Sequence, residues 1–212
     1  MSGDSTFLAR KLIDVRTGKT AYSLPTVSIG LYTTAPTDAG GGTEVSGGSY
    51  ARVTTAGSDW NAAAGSVPAS TSNANALTFP MATADWGTVV AFGGFDASTS
   101  GNLLWWDYMG AYAWLPFTGT LASPCVLTAP AHGYSNSDSV VVTNEYGGSL
   151  PSGTWTGLLT VANSTTDTFT AGVNSSGTGN GLVRKVVSQF VANGTTPSFA
   201  GGSPGVLVLT DA

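Results

Sequence analysis

Catalysis near neutral pH needs a group that titrates there or a nucleophile that a neighbour can activate, and this chain offers a single histidine and a single cysteine. His132 stands in Ala131-His132-Gly133-Tyr134, which reads as a turn, and Cys125 opens the apolar run Cys125-Val126-Leu127-Thr128. Together they would make a thiol nucleophile and its base. No third group stands near either in sequence to orient them, so the expected roles are a hydrogen-bonded structural imidazole and a buried, inert thiol. Two carboxylates are a second route, since a pair of acids can hydrolyse a glycosidic bond. The candidates Asp85, Asp96 and Asp107 are all expected at turns, where Asp serves local backbone N–H groups. Asp38 and Glu44 flank a glycine run but supply too few oxygens for a calcium site, and Gly40-Gly41-Gly42 lacks the Lys-Ser/Thr ending of a phosphate loop. The expectation is a non-enzymatic chain with no catalytic, cofactor-binding or metal residues and no cofactor.

The elements around these residues read as follows. Asp4 or Ser5 caps a helix over residues 5 to 16, with Phe7, Leu8, Leu12 and Val15 on one face, and Gly18 ends it. So short a helix is marginal alone, and its own sheet is the expected partner. A strand over Thr26 to Thr33 ends before Pro36, a glycine-rich loop crosses, and Tyr50, Arg52 and Thr54 alternate with Ala51 and Val53 in a second strand. Gly87 to Phe95 reads as one strand buried on both faces, and Leu103 to Trp106 as its hairpin partner. Leu121 to Arg184 repeats apolar run, turn, apolar run, with Ser175 to Gly181 as a flexible exit. Val186 to Val191 and Val206 to Leu209 return to the main body.

Charged residues make up 9% of the 212, against roughly 25% in an average soluble domain. With 29 glycines, this suits an all-β protein, or one held among neighbours in a larger particle where solubility as a free chain matters less. The net charge is −5, and the basic residues Arg10, Lys11, Arg16, Lys19, Arg52, Arg184 and Lys185 form no clustered patch for phosphates, which argues against a nucleic-acid partner. No apolar run approaches the roughly 20 residues of a membrane span, and the start lacks an apolar leader region, so synthesis in a cytoplasm without membrane insertion is expected.

Residues 105 to 117 carry an unusual density of aromatics. Neighbouring strand residues point to opposite faces. Either Trp105 or Trp106 therefore faces a partner chain or the inserted segment, or the helix and loops of this chain cover both. Trp105, Trp106, Tyr108, Tyr112 and Trp114 form the candidate interface, and exposed aromatics of this kind can also stack on the sugar rings of a host surface glycan.

The run Tyr32-Thr-Thr-Ala-Pro-Thr-Asp-Ala-Gly-Gly-Gly-Thr-Glu-Val-Ser-Gly-Gly-Ser-Tyr-Ala-Arg52 resembles that of the Gp80-like bacteriophage tail fibre proteins. So do the N-terminal Ala9-Arg10-Lys11-Leu12-Ile13-Asp14, Thr83-Ala84-Asp85-Trp86-Gly87-Thr88-Val89, and Asp96-Ala97 with Gly101-Asn102-Leu103-Leu104. Phe199-Ala200-Gly201-Gly202 before Val206 to Leu209 is similar to the family's closing strand. Residues 121 to 185 depart from the family pattern. Their Ala-His-Gly and Thr-Thr-Asp-Thr-Phe words resemble small β-barrel modules of phage structural proteins, similar to a ubiquitin-activating-enzyme insert domain.

The expected fold is an all-β, jelly-roll-like antiparallel sandwich with one short N-terminal helix, formed by residues 1–120 and 186–212, with a small β-barrel inserted at 121–185. The resemblance implies a structural component of a phage virion, a tail fibre or tail adaptor. The alternatives are a capsid decoration or head-fibre protein and a carbohydrate-binding host-recognition module. Other virion proteins, tail or major capsid, are the implied partners, a homotrimer the expected assembly, and the virion, assembled in the host bacterial cytoplasm, the location.

Overall fold

A computed structural model gives the architecture and describes residues 3–23, 26–65, 69–110, 113–144, 147–203 and 206–210. The chain forms two compact units, one from residues 1–109 with 189–212 and the other from 110–188. All strand pairs are antiparallel.

In the first unit, β1 (Gly3–Asp4) leads into α1 (Thr6–Arg16). Ser5 caps the helix by accepting from the Leu8 N–H at 3.2 Å, and Gly18, at φ +68°, follows its end. Leu8 is buried, while Ile13 and Val15 are 58% and 43% exposed. Val15 thus lies outside the packed face expected of it. The helix sits against β1 and β9 of its own unit.

The strands β2 (Ser28–Thr34), β3 (Thr43–Glu44), β4 (Val53–Thr54), β5 (Ser70–Ser72), β6 (Leu77–Thr78), β7 (Gly87–Val89), β8 (Ala91–Phe95) and β9 (Leu103–Tyr108) follow. The main sheet runs β1-β9-β8-β2-β3, with β4 also paired to β2. Gly87 to Phe95 is two strands where the sequence suggests one. At Val90, whose N–H donates to Tyr32 O, the chain leaves the layer of β7 and enters the main sheet. Every residue of β8 is buried, as expected of a strand covered on both faces.

The second unit contains β10 (Leu115–Gly119), β11 (Val126–Thr128), β12 (Ser139–Thr143), β13 (Leu159–Thr160), β14 (Thr168–Thr170) and β15 (Gly179–Val186), in the sheet order β13-β12-β15-β10-β11-β14. Ala162, two residues beyond β13, exchanges two 2.8 Å backbone hydrogen bonds with Thr170 of β14. This joins the two ends of the sheet into a small barrel around Phe117, Leu127, Val140, Val161, Phe169 and Val183. The sequence places the start of this insert at 121. Here the unit begins at Gly110, because β10 pairs with β11 and β15. Gly179 to Gly181, expected to be a flexible exit, are the first residues of β15. A side chain on Gly181 would come within 2.6 Å of Thr143 O.

The chain then returns to the first unit as β16 (Gln189–Val191), β17 (Ser198–Phe199) and β18 (Val208–Thr210), pairing in reverse order with β7, β6 and β5. This ribbon is the second layer of a sandwich. Ile29, Leu31 and Phe92 of the main sheet meet Leu77, Val89, Val191, Phe199 and Leu207 in one core. Each such side chain is worth roughly 1.5–3 kcal/mol when fully removed from water.

Candidate functional site

The glycine-rich stretch after β2 is held by a charged clamp. Arg52 donates from Nε to Glu44 Oε1 and from Nη2 to Glu44 Oε2, both at 2.7 Å, and from Nη1 to Ala97 O and Ser100 O at 2.9 and 2.6 Å. Its guanidinium carbon lies 3.3 Å from the centre of the Phe95 ring, and Phe95 stacks on Tyr32. Tyr50 completes the arrangement by accepting from the Leu31 N–H at 2.8 Å and donating to Glu44 Oε1 at 2.9 Å. Gly30 makes room for it, since a Cβ there would lie 2.8 Å from Glu44 Oε1 and 2.9 Å from the Phe95 ring. Burial, and next the Glu44 charge, push the Tyr32 phenol up to about 12. Tyr50 is raised too, first by burial.

The same region is tied to its surroundings by other words of the sequence. Asp38 Oδ1 accepts from Trp106 Nε1 at 3.0 Å, and Asp38 O from the Thr6 N–H at the start of α1. Gly48 O accepts from Trp86 Nε1 at 2.9 Å and from the Thr83 N–H. Asp85 accepts from the Asn193 N–H, and Asp96 holds the β8–β9 turn by accepting from both nitrogens of Asn102. Each of these carboxylates serves the backbone or a neighbouring amide or indole. Asp107 lies within β9, not at a turn, and accepts from the Tyr108 N–H. Among the described residues no three His, Cys, Asp or Glu side chains gather as a metal site would require.

The aromatic candidates are distributed over both faces of β9 and into the second unit. Trp105 pairs with Gly94, where a Cβ would come within 2.4 Å of its ring, and packs partly buried on the sandwich core beside Trp60 and Phe92. Trp106 pairs with Gly93 on the opposite face and is buried, edge to face with Tyr108, which is itself buried. Burial raises the Tyr108 phenol. Within this chain, then, Trp106 is buried and Trp105 is partly covered. Trp114, half-buried, belongs to the second unit, where the guanidinium carbon of buried Arg184 lies 4.6 Å from its ring centre. Burial lowers Arg184 to about 10, which leaves it charged at neutral pH. Tyr112 lies outside the described residues.

His132 and Cys125 are both core residues of the barrel. His132 Nδ1 accepts from the Tyr134 N–H at 2.9 Å, and its ring packs on Tyr134 and Phe169. Cys125 is fully buried with Sγ 3.1 Å from Thr120 O, and burial raises its thiol. The Arg52–Glu44–Tyr50 clamp escaped the sequence reading. The one signal for it was the shared face of Tyr50 and Arg52 two residues apart; nothing in the spacing pointed to Glu44 as their common acceptor.

These features define an all-β scaffold whose charged and aromatic residues hold loops together, as in a structural component of a larger particle. The family of the podophage GP4 fiber I protein gp80 matches residues 3–112, just over half the chain, and the chain belongs to that family. The match covers the α1, β2, glycine-loop, Trp86 and β8–β9 words. It stops before the barrel strands and before the closing ribbon. No curated protein matches the chain.

Proposed function

We propose that the chain is a non-enzymatic component of a podophage tail fibre or tail adaptor and that it works as a homo-oligomer, with a trimer favoured. The observation that carries the reading is the match to a fibre protein across the whole clamped region. Exposed apolar side chains, Ile13 and Val15 on α1 with Val206 and Val208 near the end of the chain, support an assembled state. Low charge supports it too, since little repulsion opposes close packing of copies. Cross-linking within purified virions, read out by mass spectrometry, tests the location: links to tail proteins are expected. Links to the major capsid protein alone would replace the tail assignment with a head-fibre or capsid-decoration role. Light scattering of the purified chain is expected to give a trimer mass, and a monomer mass at micromolar concentration counts against self-assembly.

A further inference from the structure

α1 and the turn after it carry Arg10, Lys11, Arg16 and Lys19, four of the chain's seven basic residues. The other three are engaged within their own units: Arg52 with Glu44, Lys185 with Asp138, and Arg184 against the Trp114 ring. Lys11 lies over the Phe7 ring. Arg10, Arg16 and Lys19 are exposed, and among the described residues none of them makes an ion pair or a hydrogen bond through its side chain. Arg10, Ile13 and Arg16 recur every three residues and so share one stripe of the helix, in which the exposed Ile13 sits between two unspent cations. A surface of opposite character lies on the same side of the first unit. Leu12 of α1 borders one cleft with Leu209 and Thr210 of β18, and here Val206 and Val208 are 60% and 43% exposed. Val208 pairs with Ser72, and Asn73 Oδ1 accepts from the Leu207 N–H. Two residues further on, Asn75 donates to the Asp59 carboxylate at 3.0 Å. The Ala56 N–H and the Asn75 amide hold that carboxyl below its usual range, so it is charged at neutral pH, and no cation among the described residues pairs with it.

We propose that the α1 stripe of one copy docks on the Val206–Val208 face of a second copy, with Ile13 against the valines and its flanking arginines facing Asp59. The inference rests on the self-assembly reading above and names the surface that makes it. Charge selects the occupant. Beyond Lys19 the chain holds ten acidic residues against Arg52, Arg184 and Lys185, so cations that find no partner within one chain find carboxylates on the next. Two α1 stripes facing each other would set like charges in contact. The contact is therefore head to tail, and head-to-tail contacts that close form rings. An apolar centre with a charged rim is also the usual layout of a protein interface. A helix of 11 residues spans about 16 Å, so this contact falls short of the roughly 800 Å² per partner of a standard interface. Charge then supplies a large share of the attraction, and assembly should weaken as salt is raised.

The test is sedimentation velocity of the full chain over a concentration series, at low and at high salt. The double variant Arg10→Glu, Arg16→Glu keeps good helix formers and should weaken self-association by about tenfold or more, since it sets like charges against the receiving face. Val206→Lys, Val208→Lys on that face should do the same, and a chain carrying all four substitutions should recover, because the charges have been exchanged. All these sites are exposed, so the melting temperature should stay within a few degrees of wild type; if one pair lowers it, the other pair decides. Weakening by each pair with recovery in the combination supports the proposal. A wild-type trimer that neither pair weakens overturns this surface and leaves the self-assembly reading standing. Weakening without recovery overturns the pairing of these two faces. A wild-type chain that stays monomeric at every concentration overturns the self-assembly reading and this proposal with it, and cross-links from Lys11 or Lys19 to another virion protein would then assign the helix face to that protein.

Discussion

Replacing Arg52 by alanine removes four hydrogen bonds and the stacking on Phe95 at once. It leaves the Glu44 carboxylate with the Tyr50 hydroxyl but without its cation, and Ala97 O and Ser100 O without that donor. The arginine side chain is 8% exposed and that of Glu44 26%. Removing one partner of a buried pair costs roughly 3–5 kcal/mol, and because water can reach part of Glu44 the lower end, about 3 kcal/mol, applies. For a unit of this size each kcal/mol moves the midpoint by about 3–4 °C, so the first unit should melt roughly 10 °C lower. Calorimetry of the full chain checks this, with the transition of the 110–188 unit as an internal control that should not move. Arg52→Lys should recover little of the loss, because one ammonium cannot present the planar fork that Glu44 and the two carbonyls occupy together. A shift below about 2 °C for Arg52→Ala, or a lysine variant equal to wild type, would refute the argument that the clamp holds the glycine loop to the β8–β9 turn; the floor is what an exposed ion pair of under 1 kcal/mol would give.

Gly41 and Gly47 have φ of +82° and +74° with open space around them, so valine at either should cost about 1–2 kcal/mol through the backbone alone. Unchanged denaturation midpoints for both variants would show that the loop relaxes without loss. Tyr32 in the first unit and Tyr134 in the second are raised from 10.0 to about 12, by burial first and then by Glu44 and Asp138 respectively. The folded state therefore holds these protons more tightly than the unfolded chain, and their contribution is complete below pH 10.0 and lost as the pH rises through about 12. Phenolate absorbance and circular dichroism should change together in that window, and all phenols ionising near pH 10.0 with the fold intact would contradict it. Replacing residues 110–188 by a short Gly-Ser linker should leave a soluble, cooperatively melting first unit, because a Cβ on Gly110 would lie only 3.0 Å from the Val187 N, so the two ends are neighbours. Replacing only 122–184 should give an aggregating chain, since it leaves β10 with neither β11 nor β15 to pair with.

Much of the first unit was legible because its signals are local. The Ser5 cap, Gly18, the end of β2 before Pro36 and the doubly buried β8 follow from propensity and period. The strand lengths were not. β3, β4 and β6 have only two residues each, too few for any periodicity to register, and exist because side chains such as Arg52 and Trp86 fix the loops beside them. The switch at Val90 was invisible for a related reason: both layers demand the same apolar residues, so the sequence reads as one strand where hydrogen bonding makes two.

The boundary of the barrel shows how glycine misleads a sequence reading. Ser175 to Gly181 has the composition of a linker, yet Gly179 and Gly181 lie in the strand that pairs with both β10 and β12. A Cβ on Gly179 would come within 2.3 Å of Ser149 O, and one on Gly181 within 2.8 Å of Leu150. Glycine stands there because another segment crosses against the strand, not because the chain needs freedom. The same holds for Gly94 beneath the Trp105 ring and Gly30 beneath Glu44. The glycines of the 38–48 loop do serve positive φ, and Gly42 serves both uses, since a Cβ there would also lie 2.6 Å from Thr34 O. In this chain glycine is therefore as much a packing residue as a turn residue, which is how so aromatic a sequence closes over its own tryptophans.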